Sequence, residues 1–91
     1  MKARKKPVEV GAMHLNSDNA ADVVAWINEN GGAAIMRGGP KGGSWGASVG
    51  IATLEGRIWY EPGWVVIQGV QGEFYACRRD IFEATYEVVE P

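Results

Sequence analysis

The chain has 91 residues, which suits one small domain, and its hydrophobic content of 46% excludes intrinsic disorder. No apolar run approaches the ~18–20 residues of a membrane-spanning helix, and the basic start lacks the apolar segment of a signal peptide. Cys77 is the one cysteine, which excludes an internal disulfide and fits a reducing compartment. These features predict a single domain over residues 1–91, located in the cytoplasm without membrane contact.

Charge is divided unevenly along the chain. Residues 1–6 hold four of the nine basic residues, so residues 7–91 carry five positive against eleven negative charges, a net charge of −6. A basic N-terminal arm over residues 1–6 therefore precedes an acidic body. Because four charges make a small footprint on a phosphate backbone, we do not expect nucleic acid to be the main partner.

A strand is predicted at residues 7–15, where apolar and polar positions alternate. Val8, Val10 and Ala12 lie on one face, and the other face holds Glu9, Gly11 and Met13, which predicts a strand with one solvated face. The strand starts at a proline, as strands are able to do.

One long helix is predicted next. Its apolar residues recur at i, i+3, i+4 and i+7, namely Ala20, Val23, Val24 and Ile27. An N-cap is expected from one of the three polar residues before it, Asn16, Ser17 or Asp18. Gly31-Gly32 ends the helix, because glycine adopts the left-handed conformation without a Cβ clash.

Short apolar runs predict further strands at residues 33–37, 45–54 and 57–60. Glu55-Gly56 is predicted to be the tight turn between the last two. A flexible glycine-rich loop is predicted at residues 38–44. This loop does not match a phosphate-binding motif, since its lysine is followed by two glycines and a strand.

The C-terminal third begins with a predicted hairpin. Pro62-Gly63 forms the turn into it, since proline presets φ and glycine accepts a positive φ. A valine-rich strand follows at residues 64–67, and residues 69–72 close the hairpin. The returning strand at residues 73–77 places Phe74 and Ala76 on one face.

A helical turn and a closing strand are predicted to end the chain. Asp80 caps the turn, which runs to Ala84, and residues 86–89 alternate again. These elements predict the α+β class, with a curled antiparallel sheet or small barrel of about six or seven short strands packed with one main α-helix. The strand order does not follow from these patterns.

A family resemblance runs through the same C-terminal third. PGW with its valine-rich strand, GVQGEFYAC and RRDIFEATYE resemble a family of short, mostly uncharacterised proteins of tailed bacteriophages and prophages. The opening KARKKPVEVGAMHL and SDNAADVVAWI are similar to the start of those proteins. The chain departs from the family in lacking an acidic residue after PG and a proline at Ala76. The resemblance implies a phage origin and supplies no catalytic residues.

The sequence predicts neither a catalytic nor a metal site. Cys77 has Arg78 and Arg79 beside it to lower its pKa, but His14 is the one imidazole in the chain. His14 also has no cysteine or carboxylate at metal-ligand spacing. The acidic residues of the C-terminal third are scattered, and no spacing favours an acid–base pair among Glu73, Asp80, Glu83 and Glu87. We therefore expect the protein to have no enzymatic activity and to bind no cofactor.

The aromatic residues are the candidate functional residues. Trp59 and Tyr60 are adjacent and point to opposite faces of a strand, so at least one reaches the surface of a one-helix domain. Exposed tryptophan is enriched at interface hot spots. The predicted strand at residues 45–54 has no charge and no proline to protect a free edge. The predicted protein interface comprises Ser44, Trp45, Val49, Trp59, Tyr60 and Trp64.

The sequence thus predicts a small non-enzymatic phage protein that binds a protein in the infected bacterial cell. The partner is a bacterial host protein or a second copy of the chain in a homodimer. Two alternatives stay open. One is a nucleic-acid-binding module that uses the basic arm, and the other is an accessory structural protein of the virion.

Overall fold

The computed structural model describes residues 1–3, 8–38 and 47–89. Its elements in chain order are β1 (Gly11–His14), α1 (Ala20–Glu29), β2 (Ala34–Arg37), β3 (Ser48–Thr53), β4 (Gly56–Tyr60), β5 (Trp64–Gln68), β6 (Phe74–Arg78) and α2 (Arg79–Thr85). The α+β class, the six strands and the main helix are confirmed. Ser44, Trp45, half of the basic arm and most of the glycine-rich loop lie outside the described residues. Within the described ranges, no helix is long and apolar enough to cross a membrane.

The strands form two three-stranded antiparallel sheets. The first sheet has the order β1-β5-β6 and the second sheet β2-β3-β4. The prediction of one curled sheet or a barrel is therefore wrong. The turn at Pro62-Gly63 separates β4 from β5. After this turn the chain continues as β5, which pairs with β1. Gly63 donates its N–H to the Leu15 carbonyl at 2.7 Å, and Leu15 donates to the Trp64 carbonyl at 2.9 Å.

The core is formed by buried residues of both sheets, α1 and the segments next to them. It comprises Leu15, Ala20, Val23, Ile27, Ala34, Ala47, Val49, Ile51, Val66 and Phe74. The predicted helical stripe is confirmed, since three of these residues lie on α1 and Val24 packs against them. Trp26 meets Phe74 edge to face, with ring centroids 5.3 Å apart. Full burial of one aliphatic side chain contributes about 1.5–3 kcal/mol, so this core is the main source of stability.

The N-terminal end of α1 differs from the prediction. Its N-cap is Asn19, and none of the three predicted residues occupies that position. The Asn19 side chain makes no capping bond. Instead its Oδ1 accepts from the Asn16 N–H, and its Nδ2 donates to the His14 carbonyl, both at 2.8 Å. The side chain thus ties the start of α1 to the end of β1.

The C-terminal end of α1 confirms the predicted glycine stop. Gly31 has a φ of 90°, and Gly32 donates its N–H to the Ile27 carbonyl at 2.9 Å. The Ile27 carbonyl also accepts from the Asn30 N–H at 3.2 Å, so both bonds lie at the end of the helix.

The first strand is shorter than predicted, and the structure shows which of its faces is buried. Met13 pairs with the fully buried Val66 and packs against the core, and Leu15 beyond it is fully buried. Ala12 is exposed. The core therefore lies on the side of Met13 and Leu15, because β5 places its Val66 face there.

The C-terminal hairpin and the helical segment after it are confirmed, and the predicted helix cap and closing strand are not. Phe74 pairs with Gln68 and is buried, as the alternation predicts. The N-cap of α2 is Arg78 instead of Asp80, because β6 runs directly into the helix. Residues 86–89 join neither sheet, so the predicted closing strand is wrong.

Candidate protein interface

The two faces of the second sheet have different roles. Directly opposed residues of neighbouring strands share a face, and Tyr60 opposes Val49, a fully buried core residue. Trp59 opposes Gly50 and therefore lies on the outer face. The prediction that Trp59 and Tyr60 point to opposite faces is confirmed, and both side chains are half-buried.

Gly50 allows the Trp59 side chain to lie across the middle of the second sheet. A Cβ atom at position 50 would come within 3.0 Å of the indole Cδ2 and Cε3 atoms. Because glycine has no Cβ, the indole covers the backbone of the central strand β3. The position of Trp59 is thus set by the residue on the strand beside it.

Two arginines flank the indole. The Arg37 guanidinium lies 3.9 Å from the centroid of the Trp59 ring, which is a cation–π contact. Arg57 donates from Nη1 to the Gly50 carbonyl at 2.9 Å. Both ion pairs found among the described residues involve other arginines, so Arg37 and Arg57 have no carboxylate partner there.

Ile35 completes this surface. It opposes Gly50 from the β2 side, so Ile35, Gly50 and Trp59 lie in one row across the three strands. Its side chain is 48% exposed, which is high for an isoleucine within a sheet. We call the surface of Ile35, Arg37, Gly50, Arg57 and Trp59 the outer patch.

The other predicted interface residues lie elsewhere. Val49 is fully buried and cannot meet a partner in this fold. Tyr60 and Trp64 pack on each other with ring centroids 5.2 Å apart, and Tyr60 also contacts the core. Ser44 and Trp45 are outside the described residues. Of the six predicted residues, Trp59 alone is placed in the outer patch by the structure.

The predicted free edge of the strand at residues 45–54 is wrong. The observed strand β3 is the central strand of the second sheet and pairs with β2 on one side and β4 on the other. Its neutral, glycine-containing sequence is compatible with a central position, because both of its neighbours satisfy its backbone groups.

Four residues of the outer patch were not predicted from the sequence: Ile35, Arg37, Gly50 and Arg57. Arg57 and Trp59 are two apart in one strand, as are Ile35 and Arg37 in another, so each pair shares a face. That signal was present in the sequence. The strand order that brings the two pairs to one surface was not.

Cys77 and His14 are the two residues that were considered for catalysis and metal binding. Burial raises the pKa of Cys77, and the Asp80 carboxylate raises it further, so the two adjacent arginines do not activate this thiol. His14 is exposed on β1. In the described residues, no three His, Cys, Asp or Glu side chains are grouped to hold a metal ion.

Comparison with known proteins gives no relative. No protein-family model, curated protein or solved structure matches this chain. The resemblance to phage proteins therefore stays a prediction, and a function has to be proposed from the geometry of the outer patch.

Proposed function

We propose that the protein acts by binding another protein through the outer patch. The observation that carries this proposal is the Trp59 indole held across Gly50, with the Arg37 guanidinium 3.9 Å from its ring centroid. Tryptophan and arginine are the residue types that most often dominate the binding energy of protein interfaces. Three paired strands hold them in place, so little conformational entropy is lost on binding.

The chemistry of the patch specifies the partner. Ile35 and Trp59 offer an apolar centre, and Arg37 and Arg57 offer two cationic groups without carboxylate partners in the described chain. A matching protein surface places an apolar side chain on the centre and carboxylates opposite the arginines. The resemblance to phage proteins favours a bacterial host protein as this partner.

Capture followed by affinity measurement tests the proposal. Tagged protein captures its partner from bacterial lysate, and the purified partner is then titrated with wild type, Ile35→Asp and Arg37→Glu. At a hot spot, a substitution lowers the binding free energy by ~2 kcal/mol or more, which corresponds to roughly thirtyfold weaker binding. We expect such a loss in both variants, because one places a carboxylate at the apolar centre and the other reverses a flanking charge.

Leu54→Asp is the matched control for Ile35→Asp. Leu54 is fully exposed in the β3–β4 turn, so this variant adds the same charge outside the patch. It should bind as wild type does, and urea denaturation should show that all three variants fold. If Ile35→Asp binds the partner with wild-type affinity, the partner binds another surface and the proposal is wrong.

Single-stranded nucleic acid is the second candidate partner, because an indole flanked by arginines also stacks and neutralises nucleotides. The net charge of −6 over residues 7–91 opposes that partner. Titration of an oligonucleotide at increasing salt separates the two. Strong, salt-sensitive binding that Arg37→Glu abolishes would favour nucleic acid.

A further inference from the structure

The strand β1 has one free edge within the described part of the fold. It pairs with β5 on one side, and no described strand lies on the other. Leu15 donates to Trp64 on the β5 side, and backbone bonds of an antiparallel pair alternate between the two sides. Met13 therefore also bonds to β5, and the Ala12 N–H and C=O point to the free edge.

An open groove of about 990 Å³ lies beside this edge. Trp26 of α1, Phe82 of α2 and residues 86–89 line it together with β1. Much of the remaining lining is apolar and includes Val8, Val10, Ala12, Val65, Val88 and Val89. The groove thus combines backbone hydrogen-bonding groups of β1 with apolar surface from α1, α2 and the segment after α2.

The lining of the groove is acidic. Among the described residues, three carboxylates and one guanidinium line it, which gives a formal charge of −2. The guanidinium, Arg79, is bound to Glu83 at 2.8 Å. Glu9 and Glu87 also line the groove and have no ion pair within the described ranges.

We propose that this groove receives an extended peptide segment of a partner protein, which adds to β1 as a fourth strand of the first sheet. Main-chain hydrogen bonds to β1 supply affinity in this mode of recognition, and alternate side chains supply specificity. The peptide carries apolar residues at alternate positions and lysine or arginine where it passes Glu9 and Glu87.

The charge of the groove favours such a peptide over a second copy of the chain. Two copies joined edge to edge through β1 would bring together two grooves of charge −2, and like charges disfavour that contact. A basic peptide neutralises the same carboxylates. This site is independent of the outer patch, which lies on the second sheet.

Selection from a displayed library of random octapeptides tests the proposal. Wild-type protein is the target, and Ala12→Pro is used for counter-selection. Proline at position 12 removes the N–H that points to the free edge and leaves the β1–β5 bonds in place. We expect enriched peptides that alternate apolar residues with lysine or arginine and bind Ala12→Pro at least tenfold more weakly. Ala12→Ser keeps the N–H and changes only the side chain, so it should lose much less affinity than Ala12→Pro does.

A variant of the two acidic side chains and a modified peptide test the remaining parts of the proposal. The double variant Glu9→Gln/Glu87→Gln should bind the enriched peptides more weakly, and this binding should depend less on the salt concentration. A peptide N-methylated at alternate residues should lose binding to wild type, which tests strand addition even if Ala12→Pro fails to fold. Amide NMR should show slower exchange at Ala12 and shifts at residues 82–89.

Three results would overturn the proposal. The first is that no selected peptide depends on backbone N–H groups. The second is that the shifts lie on the outer patch. The third is that residues 8–14 shift with protein concentration in the absence of peptide, since that would assign the groove to a second copy.

Discussion

At the scale of single residues, two glycines determine how closely neighbouring side chains approach. Gly50 admits the indole of Trp59 on the outer face of the second sheet. Gly32 lies inside the fold, where an added Cβ would come within 2.5 Å of Ile27 Cγ2 and 2.8 Å of Phe74 Cδ2. The neighbours of Gly50 face solvent, and those of Gly32 belong to the core.

Gly32→Ala should therefore lower the free energy of unfolding by about 1–3 kcal/mol, the usual cost of overpacking a core. Gly50→Ala should lower the free energy of unfolding by less than Gly32→Ala does, because Trp59 and Arg57 can move outward. Urea denaturation of both variants measures the difference. An unchanged stability in Gly32→Ala would mean that α1 and β6 separate more easily than their packing indicates.

Phe82 and Ile81 are neighbours on α2 with different surroundings. Phe82 is half-buried, lines the groove and stacks on Tyr86 with ring centroids 5.1 Å apart, while Ile81 is 52% exposed. Phe82→Ala should cost less than the ~3–5 kcal/mol of a fully buried phenylalanine. It should still lower the free energy of unfolding clearly more than Ile81→Ala does. Equal melting temperatures for the two variants would show that α2 does not dock through Phe82.

Tyr75 gives the fold a pH dependence in the alkaline range. Its hydroxyl lies 3.3 Å from that of Tyr86, and this hydrogen bond, with burial as the second cause, raises the pKa of Tyr75 to about 12. The tyrosine pKa in the unfolded chain is about 10. From pH 10 to 12 the unfolded chain therefore loses this proton more readily, and stability falls as pH rises.

Tyr86→Phe should bring the pKa of Tyr75 closer to 10 and weaken that loss of stability. Residue-specific NMR of the tyrosine Cζ atoms measures the pKa, and denaturation at pH 9 and 11 measures the stability. Tyr75→Phe is the control, since it removes the titrating group itself. A pKa of Tyr75 that does not change in Tyr86→Phe would exclude the hydroxyl pair as the main cause.

At the scale of elements, β3 and β5 are the central strands of the two sheets. Amide hydrogen exchange should be slowest there, because both edges of each strand are paired and several of their side chains are fully buried. The Ala12 amide and residues 86–89 should exchange faster. Rapid exchange throughout β3 would contradict the observed strand order.

Local signals in the sequence were sufficient for most elements of this fold. The i, i+3, i+4 stripe located α1, and the Pro62-Gly63 and Gly31-Gly32 pairs marked a turn and a helix end, since each depends on residues close in the chain. The division into two sheets depends on β5 pairing with β1 some fifty positions away. No local pattern contains that information, so the division of the strands into two sheets was not predicted.

The candidate site was predicted only in part for the same reason. The alternation at Trp59 and Tyr60 indicated that one of them faces outward. Ile35 and Arg37 come to the same surface through the pairing of β2, β3 and β4. A non-local arrangement of this kind requires the strand order.

At the scale of the whole molecule, the two sheets present surfaces of opposite charge. The outer patch has two arginines, and the groove beside β1 has a formal charge of −2. The two surfaces therefore suit partners of opposite chemistry, an acidic protein surface and a basic extended segment. Ile35→Asp should leave peptide binding at the groove unchanged, and Ala12→Pro should leave partner binding at the outer patch unchanged.

Site-specific photocrosslinking tests the central claim, that the outer patch binds a protein, most directly. A benzophenone amino acid replaces Ile35 in one variant and Leu54 in another, and both are irradiated in bacterial lysate. We predict one discrete crosslinked protein from position 35 and none from position 54. A product of twice 9.8 kDa would identify a second copy as the partner. Crosslinking from position 54 alone, or from neither position while wild type still captures a partner, would contradict the account.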